Sequence, residues 1–373
     1  MESFNKVKEN LKKNLYPFFD SKNLLSAHKK IKSELNFKFE NYIIVGIGGS
    51  SQGSKAVSHF LNVKNIFYFD HLNTEKIVRT LSSLNLKNTG FIFISKSGDT
   101  SEVLTLFDYI KEVVQDNLDL SKNFLTITEN STSPLYNLST HLGIRIIEHH
   151  KGIGGRFSIF SHTGMVPISL FFNKTEDFYE GLDSALSRFL AYNVNDTSDG
   201  KTYSPVQTAL RKYDLINKGK KIGVILLYGD ELFELGNWMK QLYAESLGKK
   251  GFGYLPVISK MTQDQHSLLQ LYLDGPKDKF FEFYSVNYLE SNNFINIALS
   301  NHKDALLKTL ESEKLPIVKI SNYFTEDNHT IGFQLGYFFA ELILETLLLA
   351  EMGNVDPFEQ DAIEKQKNFL KKV

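Results

Sequence analysis

Glu245 lies in the run Gln241-Leu242-Tyr243-Ala244-Glu245-Ser246-Leu247-Gly248-Lys249, four residues after Gln241, so on a helix the two side chains share one face. Gly248 reads as the helix stop. That puts Glu245 in the last turn, where the negative end of the helix dipole disfavours a carboxylate and makes it a candidate base. A surface glutamate paired with Lys249 is the plainer reading of the same residues. His266, in Thr262-Gln263-Asp264-Gln265-His266-Ser267, is of the type that moves protons near neutral pH. Arg156 follows Gly154-Gly155, which leaves little to obstruct a ligand beside its guanidinium. Two loops are dense in hydroxyl donors: Gly46-Ile47-Gly48-Gly49-Ser50-Ser51 and Ser95-Lys96-Ser97-Gly98-Asp99-Thr100. Donors of this kind, with glycines that let the backbone approach, suit a phosphate monoester. Asp99 sits awkwardly beside a dianion and is expected to cap the following helix together with Glu102, pointing away from the ligand. Gly46, Gly48 and Gly49 match neither a dinucleotide fingerprint nor a Walker A loop.

These residues need a frame. The short apolar runs Tyr42-Val45, Gly90-Ile94 and Ile144-Ile147 alternate with helical patterns, one through Leu61 and one from Val103 to Val114. After the polar segment 193–200 the alternation restarts, with strands expected at Lys221-Tyr228, Tyr254-Ile258, Phe280-Val286 and Pro316-Ile320, and a helix from Leu232 to Leu247. Fully apolar short strands alternating with helices imply parallel sheets covered on both faces. The expected fold class is α/β, as two doubly wound lobes, residues 1–192 and 193–352, with a C-terminal helical tail at 353–373 that holds Gln360 and Lys367. In such sheets, ligands sit beyond the carboxyl ends of the strands.

Composition narrows the partners. Lys and Arg number 42 against 43 Asp and Glu, so no global field gathers nucleic acid or an anionic membrane. With no cysteine, a disulfide framework, a thiolate nucleophile and a Cys-based metal site are excluded. Met1 to Tyr16 alternates charged and apolar residues, as an amphipathic surface helix does and a secretory signal does not, and a cytoplasmic location is expected. The stretch Ile331-Ala350 is apolar enough for a membrane span but carries Gln334, Glu341 and Glu345, and reads as a core helix.

Taken together, the motifs resemble the glucose-6-phosphate isomerase family, as a short, bacterial-type member. Gly46-Ile47-Gly48-Gly49-Ser50, Gly154-Gly155-Arg156-Phe157-Ser158, the Gln241-Lys249 run and Asp264-Gln265-His266 follow one another in that family's order. Phe358-Glu359-Gln360, with Lys367 seven residues after the glutamine, is similar to its C-terminal signature. The resemblance implies two sugar-isomerase (SIS) lobes and a cofactor-free, metal-free aldose-ketose isomerisation of a sugar phosphate, in glycolysis and gluconeogenesis. By matching position, Gly49, Ser50, Ser95, Lys96, Ser97 and Thr100 would hold the phosphate. Glu245 would be the C1/C2 base and Arg156 would stabilise the enediolate. His266 and Lys367 would open the ring, and Gln241 and Gln360 would line the pocket. The family also implies a homodimer with shared active sites, His266 reaching into the partner's, and the apolar surface of the 331–349 helix is expected to be part of the interface. The Ser95-Thr100 loop departs from the family's usual Ser-Lys-Thr-Phe-Thr-Thr and resembles that of bifunctional phosphoglucose/phosphomannose isomerases. That activity is one alternative, and a non-catalytic sugar-phosphate-binding SIS protein is the other.

Overall fold

A computed structural model describes residues 1–130, 132–193, 204–286, 293–323, 330–363 and 369. The chain forms two compact units, each with its own parallel sheet. One comprises Asn14–Ser184 with His329–Phe339, the other Met1–Lys13, Ala185–Asn328 and Ala340–Val373. Both are discontinuous in sequence, whereas a reading of hydropathy along the chain draws contiguous spans.

The five-stranded unit contains β1 (Asn41–Val45), β2 (Ile66–Phe69), β3 (Thr89–Ile94), β4 (Phe124–Thr128) and β5 (Arg145–Glu148), ordered β2-β1-β3-β4-β5 and all parallel. Alternation of side chains sends Ile43, Val45, Phe91 and Phe93 to one face, against Val103, Phe107 and Ile110 of the helix Ser101–Val114. Ile44, Ile92, Ile94 and Ile127 go to the other, with Val166 of the helix His162–Ser169. Both faces are dry, which is why these strands read as unbroken apolar runs. Two strands, β2 and β4, are absent from the sequence reading. β2 has only four residues at the sheet edge. β4 is interrupted by Thr126 and Thr128, and the polar Thr126 is accommodated in the core because its hydroxyl pairs with that of Ser139 at 2.7 Å.

The four-stranded unit contains β6 (Ile222–Tyr228), β7 (Leu255–Met261), β8 (Lys279–Val286) and β9 (Ile317–Tyr323), parallel in the order β7-β6-β8-β9. The helix Phe233–Leu247 returns from the carboxyl end of β6 to the edge where β7 begins. Asp230 does not cap this helix. Its Oδ1 instead lies 3.1 Å from Lys260 Nζ, and Leu232 occupies the N-cap.

The helix Ile331–Met352 is long and apolar enough to cross a membrane by length and composition, but it is a core helix. Phe338, Phe339, Leu342, Ile343 and Leu347 are all buried within this one chain, so they leave no apolar surface over for a partner, contrary to the expectation from sequence. Glu345 on this helix is fully buried and accepts from Lys212 Nζ at 2.6 Å and from Tyr243 Oη at 3.2 Å. Lys212 Nζ also lies 2.8 Å from Glu282 Oε1 and 4.1 Å from the Tyr243 ring centroid. Lys319 Nζ stands 3.6 Å from Glu341 Oε2 and 3.7 Å from Glu345 Oε2. Burial, then the nearby Glu345 charge, push the Glu282 carboxyl up. The charge of Lys212, set between the Glu282 and Glu345 carboxylates, works against that rise.

Candidate active site

In the five-stranded sheet the chain leaves β1, forms β2 on one side and returns to form β3 on the other. The carboxyl ends of β1 and β3 therefore flank the point where strand order reverses, the place where open α/β sheets form ligand crevices. The two hydroxyl-rich loops occupy these two ends.

After β1, Gly48–Ser50 forms a short 3-10 turn that leads into the helix Gln52–Phe60. Ser51 Oγ donates to the Gly46 carbonyl at 2.6 Å and closes the turn, while Ser50 is half-buried. A Cβ on Gly49 would stand 2.3 Å from the Gly155 carbonyl carbon and 2.4 Å from Arg156 N. Only glycine permits this approach, and it seats the first loop on the Gly154-Gly155-Arg156 segment. Ser158 secures the contact, its Oγ donating to Gly155 O at 2.7 Å and lying 3.4 Å from Gly49 O. Arg156 is buried, 1% exposed, with its guanidinium 5.1 Å from the Phe157 ring centroid. The sequence reading missed Ser158 as the clasp between the loops, although the glycines at 49 and 155 already signal two backbones in contact.

After β3, Ser95 is buried and its hydroxyl is spent inside the loop, accepting from Gly98 N (3.1 Å) and pairing with Thr100 Oγ1 (2.8 Å). Gly98 has φ +69°, and a Cβ there would fall 2.1 Å from Ser133 Oγ. Backbone bonds from Glu129 N to Lys96 O (3.1 Å) and Leu135 N to Gly98 O (3.0 Å) fix the loop to the end of β4. Lys96 Nζ lies 3.9 Å from Glu129 Oε1. Thr100 takes the N-cap position of the helix Ser101–Val114 without a side-chain cap bond, so the first-turn N–H groups keep their affinity for an anion. Asp99 is not the cap expected from sequence. It is exposed and accepts from Ser97 Oγ, because the chain enters the helix one residue later than that expectation requires.

In the four-stranded unit Glu245 is in the last turn of Phe233–Leu247, half-buried. Gln241 Nε2 donates to its Oε1 at 3.0 Å and Gln360 Nε2 to its Oε2 at 3.2 Å. Gln241 Oε1 is buried without a partner among the described residues. Lys249 Nζ donates to the Ser246 carbonyl at 3.4 Å and to the carbonyl of Asp356, tying the segment that carries Gln360 to the helix end. Two neighbours on one helix and a residue 115 positions further on, all singled out from sequence, thus meet at one carboxylate.

His266 does not join them. It ends the 3-10 turn Gln263–His266 beyond the carboxyl end of β7, and it is exposed. Asp264 holds this turn, its Oδ2 accepting from Lys260 N (2.8 Å) and Ser259 Oγ (3.1 Å), its Oδ1 from Ser267 Oγ (2.9 Å). Glu245 stands at the opposite edge, where β7 begins, and the length of that strand, which runs between them, sets the two residues about 20 Å apart. Lys367 lies outside the described residues.

The chain is similar to known proteins over most of its length. The family model described as phosphoglucose isomerase matches residues 30–277. A probable glucose-6-phosphate isomerase of Methanococcus maripaludis is 32% identical over 354 residues, covering 90% of this chain and 79% of the relative. The glucose-6-phosphate isomerase of Campylobacter jejuni is 30% identical over 361 residues, covering 90% and 85%. Among solved structures, a hypothetical protein from Thermus thermophilus superposes with a TM-score of 0.83 at 23% identity over 99% of this chain and 94% of its own. A glucose-6-phosphate isomerase from Chlamydia trachomatis superposes at 0.74 and 18% identity, over 100% of this chain and 72% of its own, and these two likenesses bear on the fold alone. With the family model matched over most of the chain and relatives above the identity at which kinship is secure, this chain belongs to the phosphoglucose isomerase family.

Proposed function

We infer that this chain is an aldose-ketose isomerase that interconverts D-glucose 6-phosphate and D-fructose 6-phosphate through a cis-enediol, as a cytoplasmic enzyme of glycolysis and gluconeogenesis. The observation that carries the reading is the Glu245 carboxylate held between Gln241 and Gln360 in a chain of this family. In the open-chain aldose, Glu245 removes the proton on C2, the electron pair moves into a C1–C2 double bond, and negative charge develops on O1. Returning the same proton to C1 gives the ketose, with the hydroxyl proton transferred between O2 and O1. A positioned carboxylate in this role contributes about 10² to 10⁴ in rate. Arg156 supplies positive charge for the developing oxyanion. Ser50, Ser97, Thr100 and the first-turn N–H groups of the helix Ser101–Val114 hold the phosphate, with Lys96 nearby, while Gly49 and the buried Ser95 shape the loops. Proton exchange on the ring oxygen and anomeric hydroxyl falls to His266 and Lys367.

A coupled assay tests this directly: fructose 6-phosphate is supplied and glucose 6-phosphate is detected by a dehydrogenase. Steady formation of glucose 6-phosphate is expected, and its absence with folded protein sinks the reading. Mannose 6-phosphate offered in parallel decides whether the second isomerase activity is present.

The distance between Glu245 and His266 supports shared sites in a C2 dimer, because about 20 Å is too far for two groups to act on one sugar. Inactive Glu245→Gln and His266→Ala chains, mixed and allowed to exchange, are expected to recover about a quarter of wild-type activity, since half of the dimers are mixed and each has one intact site. A fully active monomer by light scattering, or no recovery after proven exchange, rules the shared site out.

A further inference from the structure

The second hydroxyl-rich loop carries an anion of its own. Ser97 Oγ, which the proposed function gives to the substrate phosphate, donates to Asp99 Oδ1. The backbone cannot carry Asp99 away, because Gly98 packs against Ser133 at positive φ and the Lys96 and Gly98 carbonyls are bonded to Glu129 N and Leu135 N. Only the exposed Asp99 side chain is at liberty to turn. The neighbouring charges add to the effect: Glu102 accepts from Ser101 Oγ at 3.0 Å in the first turn of the helix, and Lys96, the cation of the loop, lies 3.9 Å from Glu129. A phosphate dianion therefore enters a loop where carboxylates outnumber ammonium groups and one of them already holds a hydroxyl it needs.

We propose that Asp99 is an affinity-setting residue: in the empty loop its carboxylate takes the Ser97 hydroxyl, and an arriving phosphate must displace it. The inference rests on the loop being the phosphate site. Its chemical sense lies in where the phosphate is. The phosphate is remote from the reacting carbons, so its contacts stabilise substrate and transition state alike, and tightening them lowers KM without raising kcat. A carboxylate in the loop loosens that uniform binding and speeds release of sugar phosphate in both directions.

The test uses inorganic phosphate as the probe, titrated calorimetrically into the full chain, alongside steady-state kinetics with fructose 6-phosphate. Asp99→Asn removes the charge but keeps an acceptor for Ser97, and Asp99→Ala removes both. Asn is expected to tighten phosphate about tenfold, the size expected for one charge against a dianion roughly 6 Å away in a largely solvated loop. Ala is expected to tighten it at least as much, and in both variants the change falls on KM. Unchanged or weaker phosphate binding in the two variants, with melting temperatures intact, overturns the proposal. Ser97→Ala separates this from failure of the loop assignment: it is expected to weaken phosphate roughly tenfold or more, as loss of a charge-assisted bond does. If Ser97→Ala has no effect, the phosphate is held elsewhere and the assignment of the loop falls with it.

Discussion

Glu245→Gln is expected to lower kcat by about two to four orders of magnitude while KM stays close to wild type. The substitution preserves volume and removes the ability to take a proton. It also changes the hydrogen bonding, since both carboxylate oxygens accept from amide nitrogens, of Gln241 at 3.0 Å and of Gln360 at 3.2 Å. A glutamine at 245 offers one acceptor and one donor, so one of these two contacts must be given up. Glu245→Asp keeps the charge but withdraws it by one methylene, and an intermediate rate separates lost basicity from lost geometry. A second readout is solvent deuterium entering the sugar at C1 or C2, which the wild type catalyses and Glu245→Gln should not. Near-normal turnover in Glu245→Gln would falsify the assignment of the base.

Lys212→Met is expected to cost about 3 to 5 kcal/mol of stability, because it leaves Glu345 and Glu282 buried without their shared cation. With Lys212 gone, the Glu282 carboxyl loses the cation that opposes burial and is pushed further up, so the loss should be larger at pH 8 than at pH 6. The exposed pair Lys218–Asp214, 2.7 Å apart with both side chains more than half exposed, is the contrast, and breaking it should cost less than about 1 kcal/mol. The measurement is unusually clean. The chain has one tryptophan, Trp238, buried in the same unit on the helix that carries Glu245, so its fluorescence follows urea unfolding from within the unit that holds the cluster. A Lys212→Met midpoint within error of wild type would show that the cluster contributes nothing.

The residues explain what sequence could and could not reveal. Strands such as Tyr42-Val45 and Gly90-Ile94 are legible because parallel sheets covered on both faces demand apolar side chains at every position. β4 is not, because whether Thr126 is tolerable inside depends on Ser139, a partner that periodicity does not reveal. Gln241 and Glu245 are tied by helix geometry and were readable as a pair. Gln360 joins them across 115 residues, and only its place in a family motif announced it. Asp99 illustrates the limit of local rules. Acid followed three residues later by acid, before an apolar run, reads as a cap, yet the hydroxyl of Ser97 claims the side chain first. The helix Ile331–Met352 was legible as apolar and buried, but whether its cover came from its own chain or from another could not be read from its composition. The separation of His266 from Glu245 belongs to topology: a helix returning along a sheet sends its last turn to one edge while the next strand delivers its own loop to the other.

The four-stranded unit joins Met1–Lys13 to Ala340–Val373, segments made far apart in time. Lys6, on the helix Glu2–Lys12, pairs at 2.7 Å with Glu351, 345 residues later. At ribosomal rates of about 5 to 20 residues per second, that helix waits roughly 20 to 70 s for this partner to be synthesised. Phe4, on its apolar face with Val7 and Leu11, meets Phe189 and Tyr192 only midway through that interval. The nascent polypeptide therefore carries an amphipathic segment without its full docking surface throughout that interval, a natural client for whatever shelters emerging chains. The five-stranded unit also draws on the late segment His329–Phe339, so neither sheet reaches its final cover before that stretch has been made.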